Sequence, residues 1–166
     1  LPLLNQAAEI EGVAYWDGGF AGNPPLFPLY NHSDSEDIVI VQLTPLNRKG
    51  TPKLRREIMD RIYEISFNGS LLHELENLML ISKLVENGHA PNSSYRAMRI
   101  HMIEDPDTIR SLGASSMLNM EWEFLVYLRD KGREAAARFL EQNADRLGRE
   151  SSFEFGKILK EKYVLS

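Results

Sequence analysis

Asp17, followed directly by Gly18 and Gly19 and, after a short spacer, by Asn23-Pro24, is the grouping in this chain best suited to chemistry. An Asp that leaves a strand onto two glycines can aim its carboxylate into a cleft. The glycines permit backbone angles closed to other residues, and their missing side chains let a second segment approach closely. A carboxylate held in this way can take the proton of a serine hydroxyl directly, a dyad in place of a triad. The plain alternative is a tight turn, for which Asp-Gly is a favoured pair. Either reading needs the side chain located. A carboxylate plugged into its own backbone or turned to solvent, with no cleft beside it, cannot serve as the base.

The remaining chemistry-bearing residues are scattered. His32, His73, His89 and His101 show no spacing, to one another or to a carboxylate, that would hold a metal. His101 falls in a predicted strand, as a general base or as a satisfied interior histidine. Lys53, Arg55, Arg56 and Arg61 gather at one helix start and read as a solvated face, with anionic lipid headgroups as the functional alternative. Met117, Met120, Trp122 and Phe124 read as amphipathic core packing rather than a lipid groove. Gly69-Ser70 and Gly113-Ala114-Ser115 each carry part of Gly-x-Ser-x-Gly, and neither completes it. The search for a self-contained Ser-His-Asp triad therefore fails at its nucleophile. With no cysteine, thiol nucleophiles, disulfides, Cys-ligated zinc and Fe–S clusters are excluded.

The elements that must position Asp17 follow from pattern. A hairpin is predicted over Ile10 to Tyr15 around Glu11-Gly12, and a short helix is predicted to start at Asn23-Pro24. Asp37 to Leu43 is the clearest strand, its continuous apolar run predicting burial on both faces. Helical spacing runs from Leu54 to about Glu86, with a break expected at Asn68-Gly69. A second strand, Tyr95 to Ile103, completes a βαβ unit. Helices are predicted at Thr108 to Leu112, Met120 to Arg129, Arg133 to Asn143 and Phe155 to Val164. Ser151-Ser152-Phe153-Glu154 reads as a capping box before the last of them.

Composition bounds the whole. The chain has 166 residues, 43% hydrophobic and 26% charged, which suits one globular domain or a large part of one. A net charge of −5 gives no field of cations for nucleic acid. No stretch approaches the ~18 apolar residues of a membrane span. The chain opens Leu1-Pro2-Leu3-Leu4 without Met, which suggests a fragment or processed product.

Tyr15 to Leu29, reading Tyr-Trp-Asp-Gly-Gly-Phe-Ala-Gly-Asn-Pro-Pro-Leu-Phe-Pro-Leu, resembles the Asp-Gly-Gly segment of bacterial patatin-like phospholipases. Asp37 to Pro45 is similar to the strand that follows in that family, and Glu57 to Leu72 to its long helix. Leu118-Asn119 and Gly132 to Ala136 also fit the bacterial branch, so the likeness covers most of the chain. The resemblance implies a three-layer α/β/α fold and a Ser–Asp dyad that hydrolyses acyl esters of lipids without metal or cofactor. Asp17 matches the dyad aspartate, Gly18 and Gly19 its supporting glycines, and Asn23 the Asn after the spacer. The family's glycine-rich oxyanion loop and Gly-x-Ser-x-Gly elbow lie upstream of this segment, and only sixteen residues precede Asp17. Residues 1–166 are thus expected to be the C-terminal part of a single patatin-like domain, with 105–166 a helical extension. Alone the chain is expected to be inactive. Its implied partners are a lipid or other acyl ester and the nucleophile-bearing N-terminal part; a second copy and peripheral contact with a membrane, from the cytoplasm, are further expectations. A non-catalytic lipid- or protein-binding module that keeps the fold is the alternative.

Overall fold

The computed structural model describes residues 6–46, 50–89, 95–112, 116 and 118–156. Strands β1 (Ala8–Ile10) and β2 (Val13–Tyr15) form an antiparallel hairpin. Its two-residue turn, Glu11 and Gly12, has φ of 53° and 79°, both on the left-handed side that tight hairpins require. A single 3-10 turn follows at Gly18–Phe20, then helix α1 at Phe27–His32. α1 starts later than the sequence suggested. Pro28 occupies its first turn, where a missing N–H costs nothing, while the Asn23–Pro24 peptide is cis and lies outside the helix.

The centre of the molecule is a βαβ unit. β3 (Asp37–Gln42) and β4 (Arg99–Glu104) pair in parallel, with Asp37 opposite Arg99 and Gln42 opposite Glu104. Between them runs α2, Arg55–Glu86, a 32-residue helix that continues straight through Asn68-Gly69. The expected break is absent because Asn68 is tied into the fold: its Nδ2 donates to Pro45 O at 2.8 Å and its Oδ1 accepts from Gln42 Nε2 at 3.0 Å. At the helix start Glu57 reaches back to accept the N–H groups of Lys53 and Leu54. Ile38, Ile40 and Ile100 from the sheet pack on Leu71, Leu75 and Leu78 of α2, with Leu26 and Met98 closing the cluster. The class is α/β.

The second face of the sheet is covered unevenly. Behind β4, His101 lies fully buried against Phe139 of α4, Trp122–Asn143. Behind β3, Val39 and Val41 remain 46% and 62% exposed, which corrects the expectation of burial on both faces. The predicted helices over 120–129 and 133–143 are one helix, since Gly132 does not interrupt α4. The short helix α3 is Pro106–Ser111, capped by Asp105. Ser151 does not cap a helix. Its hydroxyl accepts the Ile100 N–H, and Phe153 N–H bonds Ile100 O, so residues 151–153 close the outer edge of β4. Most of the predicted final helix, and Met117, lie outside the described residues. Met120 and Trp122 do not join the core; they stand 79% and 75% exposed. Among the described residues no helix is long and apolar enough to cross a membrane.

Candidate active site

Asp17 caps the 3-10 turn. Its Oδ1 accepts the Gly19 N–H at 2.8 Å, and the residue is exposed. Oδ2 accepts no hydrogen bond, and no hydroxyl is bonded to the carboxylate, among the described residues. Of the two reasons for glycine, only close approach applies. Neither Gly18 nor Gly19 has positive φ, and a Cβ at Gly18 would meet open space. A Cβ at Gly19 would come within 2.8 Å of Phe67 Cε1 and 3.1 Å of Asp17 Oδ1. Position 19 is glycine because α2 passes directly beneath it.

One face of α2 seats the whole segment. Phe20 packs edge-on against Phe67, with ring centroids 4.9 Å apart, and Tyr63 stacks on Phe67 at 4.1 Å. One turn on, Ser70 Oγ accepts the Asn23 N–H at 3.1 Å. Glu74 Oε2 takes that of Leu26 at 2.6 Å. Residues 63, 67, 70 and 74 share one helical stripe. Asn68, next to Phe67, is bonded to Gln42 and Pro45, so Asp17 is moored at the carboxyl-terminal end of β3. That end of a parallel sheet is where α/β proteins bind ligands. A cavity of about 350 Å³ opens there between the ends of β3 and β4, α2, α3 and α4. Tyr63 belongs to its wall, and its phenol is pushed up first by burial and then by the Asp17 charge. The carboxylate is therefore engaged by its own backbone on one oxygen and exposed, and Asp17 is not part of the cavity wall; Tyr63, which feels its charge, is the link between the two.

Comparison with family models, characterised proteins and solved structures gives no match.

Among the described residues no group of His, Asp and Glu could hold a metal ion. The fold does assemble a Ser–His–Asp chain that local sequence spacing hides, from positions 37, 101 and 152. His101 Nε2 lies 3.0 Å from Asp37 Oδ1 and Nδ1 lies 3.0 Å from Ser152 Oγ. Asp37 is also gripped by the Arg99 guanidinium and by the Gly148 N–H at 2.9 Å. The Arg99 hydrogen bonds, chiefly, hold its carboxyl well below the usual range, with those of Gly148 and His101 adding to the effect against burial. With His101 wholly buried and no member of the chain on the cavity wall, this is a satisfied interior histidine that locks β3, β4 and the 148–152 segment together. His32, His73 and His89 are exposed and far apart in the chain. Of the basic group, Arg61 pairs with Glu64 at 3.1 Å, and Lys53, Arg55 and Arg56 are exposed.

Proposed function

We propose that this chain is the aspartate-bearing, C-terminal part of a patatin-like serine acyl hydrolase of three-layer α/β/α fold. Residues 105–166 are then a helical extension of its single domain. The substrate is a lipid or other acyl ester, and no metal or cofactor takes part. Asp17 removes the proton of a serine hydroxyl carried on a segment upstream of Leu1, and that serine attacks the ester carbonyl; the ester's alcohol leaves with the proton returned by Asp17, and water, deprotonated by Asp17 in turn, cleaves the acyl-enzyme to the free acid and the regenerated serine. The reading is supported by the seating of the Asp17 segment against Phe67 near the carboxyl end of β3, with Oδ2 open and Tyr63, which feels the Asp17 charge, on the wall of a largely apolar cavity. Exposed Leu118, Met120 and Trp122 favour peripheral contact with a membrane, from the cytoplasmic side. The isolated chain lacks a nucleophile and hydrolyses nothing.

A non-catalytic lipid- or protein-binding module is the second reading, favoured by the Gly19 N–H on Oδ1. A fluorophosphonate probe on the protein with its upstream segment separates the two, because only an activated serine reacts. The hydrolase reading expects labelling of an upstream serine. Asp17→Asn should then cut ester turnover by about 10²–10⁴-fold, the usual worth of a general base, with an unchanged thermal transition. Absence of labelling, or wild-type turnover in Asp17→Asn, overturns that reading in favour of the module.

A further inference from the structure

The 350 Å³ cavity is lined by apolar side chains and by several carboxylates. Val41, Leu43, Ile103, Ile109, Leu128 and Ala135 supply much of the apolar lining. A 150 Å³ apolar cavity holds a six-carbon ring, so this one has room for roughly a dozen carbon atoms. Gly132 faces the space from α4. Its φ is not positive, and a Cβ there would meet nothing within 4 Å, so neither backbone nor neighbour demands glycine. Glycine inside a helix costs about 1 kcal/mol against alanine, and what it leaves here is volume.

The polar groups lining the cavity are mostly of one sign. Asp60, Glu64, Glu104 and Asp105 stand against Lys131. Lys131 is bound to Glu134 at 2.7 Å, while Asp60 and Glu104 form no ion pair among the described residues. Glu64 and Asp105 are matched by Arg61 and Arg138. A ligand bringing its own carboxylate would meet like charge in a partly desolvated setting, which is strongly unfavourable.

We propose that this cavity binds an uncharged aliphatic chain of about ten to twelve carbons and rejects the corresponding carboxylate. Taking the occupant as a chain rather than a ring rests on the hydrolase reading, in which it is the acyl chain of the ester. The free acid produced by hydrolysis is then expelled by Asp60 and Glu104.

The test is calorimetric titration of the 166-residue chain with 1-decanol and with decanoate at pH 8. Saturable one-to-one binding of decanol is expected, with decanoate at least tenfold weaker and the gap narrowed in Asp60→Asn/Glu104→Gln. Gly132→Leu fills the space from α4 and Val41→Trp from the opposite wall; each should weaken decanol at least tenfold with the circular dichroism spectrum retained. Asp17→Asn should bind decanol like wild type, so failure of the dyad leaves the cavity assignment standing. No saturable decanol binding, equal binding of decanoate, or undiminished binding in folded Gly132→Leu and Val41→Trp overturns the proposal, whatever the esterase result.

Discussion

A carboxylate that serves as a base must be held still without losing both of its lone-pair faces, and Asp17 is held by one oxygen only. The hold depends on Gly19, where the nearest obstacle is the Phe67 ring at 2.8 Å from an added Cβ. Gly19→Ala is therefore expected to shift the 3-10 turn off α2 and to abolish turnover by the protein with its upstream segment, much as Asp17→Asn would. Gly18→Ala, which meets nothing, should keep activity within a few fold. Equal loss in both would mean that the glycines serve the backbone and not the approach of α2. At Asp37 the same kind of argument concerns stability. Its folded carboxyl lies below the unfolded value of about 3.9, so the unfolded chain takes up the proton first as pH falls. The stabilisation is complete above about pH 4 and drains away below it. Urea denaturation at pH 6 and pH 3 should show a steeper loss for wild type than for Asp37→Asn. At pH 6 that variant should be less stable by at least the ~1.5–3 kcal/mol of one charge-assisted hydrogen bond.

The helix α2 shows which features were legible in sequence and which were not. Its length, its apolar period and its place between two strands followed from residues 54–86, and the hairpin followed from Glu11-Gly12. The break expected at Asn68-Gly69 did not, because local propensity cannot register that Asn68 would find Gln42 and Pro45 as partners. The same limit hid the Ser152–His101–Asp37 chain, whose members sit 51 and 64 positions apart. Asp17 stood out by residue type, whereas Phe67, Ser70 and Glu74, which seat its segment, look in sequence like ordinary helix positions. The one available signal was a polar pair, Ser70 and Glu74, bordering an apolar stripe. Gly69 itself is idle: an added Cβ meets nothing within 4 Å and its φ is not positive. Gly69→Ala should accordingly stabilise the chain by about 0.5–1 kcal/mol in thermal or urea denaturation. A destabilised variant would mean that α2 needs freedom at this point after all.

At the scale of the whole molecule, the described residues leave a connected set of large apolar side chains uncovered. Val39 and Val41 lie on the uncovered face of β3, and Ile58, Ile62 and Ile65 make a helical stripe along the first half of α2, each at least 43% exposed. Apolar surface of this kind, beside a two-stranded sheet, invites a partner. We therefore expect the isolated chain to bind a hydrophobic dye such as ANS and to elute with a mass above 19.0 kDa by light scattering at micromolar concentrations. Val39→Lys with Ile62→Lys should shift it towards the monomer, since two buried charges would oppose any such contact. Adding the upstream segment should lower dye binding by covering Val39 and the stripe of Ile58, Ile62 and Ile65, leaving the cavity beside Val41 open. A sharp, concentration-independent unfolding transition of a monomer that binds no dye would show instead that these faces are stable in water, and the case for a covering segment would fall with them.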